Sequence, residues 1–282
     1  MHTIGRVVGV SLVLSALLLA GCSGGSKTAS TQVIVSGSTT ILPIAEQTAE
    51  AFQKANPGTR VLVSGLGSSA GIEAVSAGTA DIGTSSRDLK PEEGNLGLID
   101  TPVAYDGIAV IVSPSNPLSN LTKTQLADIF SGRIKNWDEV GGSNRPIDLV
   151  NRDESSGTRD AFTKLVMGTS TFDPRAAVLP GTGQVRDVVA RAAGAIGYIS
   201  IGFVKPRFTD VAVKALSVDG VAPTEANIAS GKYPVGRRLH FFTKGEPTGL
   251  TKKYVDYMLS DAVQKGVVVD AGFIPVAEGG KR

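Results

Sequence analysis

Three times along this chain a short apolar strand runs into a turn of serine, threonine and glycine, and each turn opens a helix. The first strand, Gln32-Val33-Ile34-Val35, leads into Ser36-Gly37-Ser38-Thr39-Thr40; Ile41, Leu42, Ile44, Ala45, Thr48, Ala49 and Phe52 then trace one helical face to Ala55, and Asn56-Pro57-Gly58 stops it. The second, Val61-Leu62-Val63, leads through Gly65-Leu66-Gly67-Ser68-Ser69-Ala70-Gly71 into a helix that breaks at Gly78. The third, Ile147-Asp148-Leu149-Val150, leads through Asn151-Arg152-Asp153-Glu154-Ser155-Ser156-Gly157-Thr158-Arg159 to apolar residues 161, 162, 165 and 166 at helical spacing. Strand and helix in alternation predict an α/β sheet with helices on its faces. In such sheets ligands sit at the carboxyl ends of the strands, which is where these turns fall.

The turns share a chemistry. The first N–H groups of a helix lack intrahelical partners and carry the positive end of its dipole. Ser155 or Ser156 is suited to cap the third helix, and Gly157 lets the backbone approach whatever is bound there. With Arg152 at the strand end, the third turn reads as a site for a tetrahedral oxyanion. Any one such turn is an ordinary helix cap; three on one scaffold suggest helix starts converging on a small anion. Neutral donors plus one or two arginines can satisfy every oxygen of a dehydrated oxyanion, whereas a lysine patch offers only point charges.

Other chemistries find little support. His2 and His240 are the only histidines, and His240 lies on the apolar strand Leu239-His240-Phe241-Phe242, as a structural residue would. Nothing sets it beside a serine turn to complete a Ser-His-acid triad. There is no His/Cys metal spacing and no G-x-x-x-x-G-K-[ST] loop, so no catalytic residue, metal or cofactor is nominated.

Val7 to Ala20 forms an apolar run too short for a membrane span of about 20 residues, behind a weak basic start, and reads as a signal peptide over residues 1–22. It ends in Leu19-Ala20-Gly21-Cys22, which resembles a bacterial lipobox whose cysteine is lipidated. Cys22 is the only cysteine, which excludes a disulfide framework. Residues 23–31 are small and polar, a flexible tether. The expected location is outside the cytoplasmic membrane, periplasm or cell surface, held to a bacterial membrane through Cys22. The remaining body, about 260 residues, fits two domains of ordinary size. Its near-balanced charge gives no electrostatic footprint for nucleic acid.

Further along, Asp106-Gly107 precedes a strand Ile108 to Val112, and the loop Ser113-Pro114-Ser115-Asn116-Pro117 is a candidate crossing between domains. Thr122 caps a helix, Trp137 reads as packing, and Thr182-Gly183-Gln184 caps a helix carrying Val185, Val188, Val189 and Ala192. Residues 194–200, 211–216 and 238–243 read as strands, and Ala222 to Tyr233, residues around Tyr254 to Leu259, and Ala262 to Val269 as helices.

Taken together, Gly37-Ser38-Thr39-Thr40, Gly67-Ser68-Ser69-Ala70-Gly71, Ala80-Asp81-Ile82-Gly83-Thr84-Ser85-Ser86-Arg87 and Arg152-x-x-x-Ser156-Gly157-Thr158 resemble the phosphate-binding proteins of bacterial ABC phosphate uptake. Ile129-Phe130-Ser131-Gly132-x-Ile134-x-Asn136-Trp137 and Lys214-Ala215-Leu216-Ser217-Val218-Asp219-Gly220 resemble that family too. The resemblance covers the chain after the tether. It implies a two-lobed type II periplasmic-binding-protein fold, with mixed sheets, helices on both faces and a ligand cleft between lobes. Lobe one is expected from residues 32–112 and 233–282, and lobe two from 113–232. The implied phosphate donors are Thr39, Thr40, Ser68, Arg152, Ser156, Gly157 and Thr158, with Ser38 as a further donor. The implied partners are inorganic phosphate and a membrane permease, with the chain a lipid-anchored monomer.

The chain departs from the family at Ser86, where some members carry an aspartate that accepts a hydrogen bond from protonated phosphate and so repels sulfate. Serine can accept as well as donate, so Ser86 stays in the candidate site. Asp106 is the candidate to restore a carboxylate acceptor; its alternative role is capping the turn before Gly107. Three rival functions are a receptor for another oxyanion such as sulfate, a secreted phosphohydrolase with Ser156 as nucleophile, and a surface protein that keeps the fold without the ligand.

Overall fold

The computed structural model describes residues 2, 30–205 and 211–277. The signal-peptide, Cys22 and most tether assignments therefore lie outside the described residues. The chain alternates β1 (Gln32–Gly37), α1 (Leu42–Ala55), β2 (Arg60–Gly65), α2 (Ser68–Ala77) and β3 (Ile82–Ser85), then enters the long strand β4 (Leu98–Val112). A middle stretch follows: β5 (Asn120–Leu121), α3 (Lys123–Phe130), β6 (Asp148–Arg152), α4 (Gly157–Phe162), β7 (Ala177–Leu179), α5 (Thr182–Arg191), β8 (Ala195–Ser200), β9 (Lys214–Val218) and α6 (Glu225–Ala229). The chain then returns through β10 (Gly236–Lys244) and α7 (Gly249–Met258).

The strands lie in the order β2-β1-β3-β10-β4-β8-β6-β7, with β9 also on β4 and β5 on β9. β1, β2 and β3 are mutually parallel, as their intervening helices require, while β10 runs antiparallel to both β3 and β4. On the other side β8 is antiparallel to β4, and β6 is parallel to β8 and β7.

β4 is one continuous strand of 15 residues, where the sequence reads as an extended lead and a separate strand after Asp106-Gly107. Its register against β10 slips opposite Leu239 and His240, next to Pro102, and a bulge of this kind accommodates a proline without breaking the strand. Gly107 marks no turn. A Cβ there would lie 2.4 Å from Ile228 Cδ1, so the absence of a side chain is what lets α6 pack against the strand.

The apolar side chains sort into two main cores. Val33, Val35, Ile44, Phe52, Val103, Ala104, Leu239, Phe241, Tyr254 and Phe273 belong to one, and Ile108 to Val112, Phe130, Trp137, Phe162, Val185, Tyr198 and Tyr233 to the other. The change of core falls at Gly107 within β4 and between Val235 and Leu239 on the return, whereas the sequence reading set it at the Ser113–Pro117 loop and near residue 232. The two passages run side by side: Ile108 N donates to Val235 O at 2.8 Å and Gly107 pairs with Gly236, while Tyr105 exchanges backbone hydrogen bonds with Ile274, near the C-terminal end of the described residues, at 2.8 and 3.0 Å.

The second core fixes the third turn. Under α4, Phe162 stacks on Tyr198 with centroids 4.2 Å apart and 3° between planes, and Phe130 packs edge-on to both. Such pairs contribute roughly 0.5–1.5 kcal/mol beyond their burial and set the helix's height over the sheet. Trp137 is buried, as its sequence reading requires, and its indole N–H donates to Gly194 O at 3.0 Å. Helix α6 is shorter than the stretch Ala222 to Tyr233, starting from the Thr224 cap. The stretch Val263–Val268 is a π-helical turn, and α4 likewise continues into one over Thr163–Met167.

Candidate oxyanion-binding site

The carboxyl ends of six strands meet between the two cores. From the first core come Gly37, Gly65 and Ser85 at the ends of β1, β2 and β3; from the second come Arg152, Leu179 and Ser200 at the ends of β6, β7 and β8. The residues that follow them are polar and almost wholly buried: Ser38, Thr40, Ser68, Ser86, Arg152, Ser156, Thr158 and Thr182 are each no more than 2% exposed. Buried hydroxyls in such number need partners, and here they find one another across the cleft.

The first turn is pinned by Ser38 N, which donates to Thr84 O at 3.0 Å and Thr84 Oγ1 at 2.8 Å, while Thr40 N donates to Ser38 Oγ at 3.2 Å. In the second turn Gly67 N donates to Gly37 O at 2.8 Å, which ties the two turns together. Ser68, the first residue of α2, has its hydroxyl 3.3 Å from that of Ser86 and accepts from Ser86 N at 3.1 Å. In the third turn Ser156 caps α4, its Oγ accepting from Arg159 N at 3.2 Å. Gly157 follows, at a point where a Cβ would lie 2.2 Å from Ser68 Oγ and 2.9 Å from Ser86 Oγ. Thr158 Oγ1 lies 3.2 Å from Thr40 Oγ1. The three turns seen in the sequence are therefore neighbours in space.

Two arginines flank this hydroxyl cluster. Arg152 donates to Leu179 O, Pro180 O, Thr182 Oγ1 and Thr39 Oγ1 at 3.1, 2.8, 3.2 and 3.2 Å. Burial pushes its guanidinium pKa down, with Asp153 opposing that shift. Arg237, on β10, is the second. It donates to Thr158 Oγ1 at 2.9 Å, Thr40 Oγ1 at 3.4 Å and Ser86 O at 3.1 Å, so it touches the first turn, the third turn and the Ser86 segment at once.

Asp106 is fully buried at the passage between cores and faces Arg237 across the β4–β10 pairing. Its Oδ2 accepts from Arg237 Nε at 2.8 Å and NH2 at 2.7 Å, and its Oδ1 accepts from Ser200 Oγ at 2.7 Å. Burial pushes the carboxyl up and the guanidinium down; the forked pair opposes both shifts.

Neither Arg237 nor Thr182 is among the site residues nominated from the sequence. Thr182 reads there as a helix cap, but the cap position is Gly181, and the threonine hydroxyl turns to Arg152 and to Thr39, 3.0 Å away. Arg237 stands beside the exposed Arg238 at the start of a strand; only the pairing with Asp106 distinguishes the two.

His240 is buried away from the serine turns, with Nδ1 2.7 Å from Asp100 Oδ1 and Nε2 3.5 Å from Asp88 Oδ1. Ser156 Oγ accepts from the Arg159 backbone N–H while the His240 ring is held by Asp100 and Asp88, so the Ser156–His240 arrangement of a hydrolase is not assembled. Among the described residues, no three His, Cys, Asp or Glu side chains are grouped to hold a metal, and no helix is long and apolar enough to cross a membrane.

Strand ends from two cores, joined by paired passages and closing on a buried cluster of hydroxyls and arginines, define a two-lobed type II periplasmic binding protein. A family model described as a PBP superfamily domain matches residues 23–262. The phosphate-binding protein PstS of Bacillus subtilis is 38% identical over 257 residues, covering 90% of this chain and 84% of the relative. A substrate-binding protein from Clostridium perfringens solved with bound phosphate superposes with a TM-score of 0.82 at 38% identity, covering 87% of this chain and 99% of that one. An ABC-type phosphate transport receptor from Vibrio cholerae gives 0.73 at 35% identity, covering 86% and 99%. The chain belongs to the PstS family of phosphate-binding proteins within the PBP superfamily. It is accordingly a binding protein and not an enzyme.

Proposed function

We propose that the chain captures inorganic phosphate outside the cytoplasmic membrane and delivers it to an ABC permease. The observation that carries this reading is the contact of Arg237 with Thr40 and Thr158, which joins donors from both sides of the cleft around one guanidinium. A tetrahedral dianion placed among these groups would meet donors on every face. The family names, and the bound phosphate of the Clostridium relative, support the same ligand.

In this reading lobe one comprises residues 32–107 and 236–273, and lobe two residues 108–235, because those limits follow the change of core. Phosphate is held by Ser38, Thr39, Thr40, Ser68, Ser86, Arg152, Ser156, Gly157 and Thr158, joined by Arg237. Asp106 acts through Arg237, whose two N–H groups occupy one carboxylate oxygen. Binding shifts a hinge equilibrium toward closure, because only the closed arrangement brings the third turn against the first two. Lipidation of Cys22 would hold the monomer near its permease.

Calorimetric titration of the mature protein with phosphate and with sulfate at two pH values tests this. Tight phosphate binding with sulfate excluded is the expected outcome. Equal binding of both would make the site a general oxyanion receptor, and binding of neither would remove the function while leaving the fold.

A further inference from the structure

Two segments that adjoin the anion site also meet across the cleft through charged side chains, which reach Ser69, next to Ser68, but none of the proposed donors themselves. The first follows β3 and holds Arg87, Asp88, Lys90 and Glu93. The second is α4 with its π-helical continuation and holds Asp160 and Lys164. Arg87 is only 5% exposed. Its NH1 and NH2 fork onto Glu93 at 2.6 and 2.8 Å, NH2 donates to Ser69 Oγ at 3.2 Å, and NH1 donates to Asp88 O at 3.0 Å. All those partners lie on its own side of the cleft. The remaining Nε faces Asp160 Oδ2 across the cleft at 2.8 Å, and Lys90 Nζ lies 3.2 Å from the same oxygen. Lys164 Nζ, 3.7 Å from Asp88 Oδ2, repeats the crossing with charges reversed.

We propose that Arg87 and Asp160 form a latch that stabilises the closed lobes without touching the ligand, which makes both of them positioning residues for capture. The proposal rests on the two-lobed closure described above. Arg87 is held in place by Glu93 whether or not Asp160 is near, so its side chain needs no ordering when the lobes meet. When they part, Glu93 still neutralises it, and opening strands no unpaired buried charge. Asp160, 25% exposed, regains water. The contact is therefore favourable and reversible, as a latch must be. It is also mechanically tied to the site, because Asp160 lies on the helix that starts at Gly157.

The test compares mature wild-type protein with Asp160→Asn and Asp160→Ser, the second guarding against a folding defect particular to one replacement. Small-angle scattering without ligand reads lobe opening, and stopped-flow release of phosphate reads the lifetime of the closed state. Both variants are expected to show a larger ligand-free radius of gyration or a phosphate affinity about 5- to 20-fold weaker through faster release, with the ligand-free melting temperature unchanged. Unchanged radius together with unchanged release in both variants overturns the latch. Should the wild type bind no phosphate, the phosphate reading falls, and scattering alone decides the latch.

Discussion

At the scale of the residue, the buried Asp106–Arg237 pair concentrates the electrostatics of the site. Such a pair is weak evidence for stability as a whole, but removing one partner leaves the other charge unpaired. Asp106→Asn is expected to lose about 3–5 kcal/mol in urea unfolding of the ligand-free protein. Saturating phosphate should return part of that, since the dianion supplies the missing charge. His240 makes a second prediction. Burial disfavours its charged ring, but the hydrogen-bonded carboxylate of Asp100 and the nearby carboxylate of Asp88 outweigh this, and its pKa is raised above the usual 6.5. Protonation is thus favoured in the folded state. The resulting stability is fully present below about pH 6.5 and is lost as pH rises through the folded value. Melting curves should show the wild type's advantage over His240→Gln shrinking across that rise; an advantage independent of pH would mean the ring is not charged in the fold.

At the scale of the element, each turn combines a glycine or hydroxyl cap with a neighbour from a different element. Gly157 opens α4 at the point where α2 and the Ser86 segment come closest. A methyl group there meets Ser68 and Ser86 hydroxyls that are themselves only 1% exposed. Overpacking of this kind typically costs 1–3 kcal/mol, and it falls on the closed arrangement alone. Gly157→Ala should therefore weaken phosphate binding about tenfold or more by calorimetry, with little change in ligand-free melting, because alanine favours the helix. The turn chemistry was readable in the chain: Thr122 caps α3 through a reciprocal bond with Gln125, and Ser156 caps α4. The continuity of β4 was not, because Asp-Gly reads locally as a turn and the bulge at Pro102 depends on a partner strand far along the chain, at His240.

At the scale of the whole molecule, the two cores share β4, the return crossing falls just before β10, and the cleft lies where the chain passes between them. A ligand that closes this cleft binds the folded state only. Phosphate at about 100 times its Kd should add about 2.7 kcal/mol to unfolding free energy and raise the melting temperature accordingly. A melting curve unmoved by phosphate would mean that the hydroxyl cluster is satisfied by its internal bonds and takes no anion.

The sequence by itself determined the class of fold, the alternation of strand and helix, and the three hydroxyl turns, since periodicity, caps and glycine punctuation act within a few residues of one another. It placed Asp106 among the candidates but not its counter-ion. Tertiary structure alone decided that Arg237 rather than Arg238 turns inward, that Thr182 serves Arg152 instead of its own helix, and that the chain changes core at Gly107. Those outcomes depend on strand register and on the pairing of buried charges, which join residues far apart in the chain and leave no local pattern.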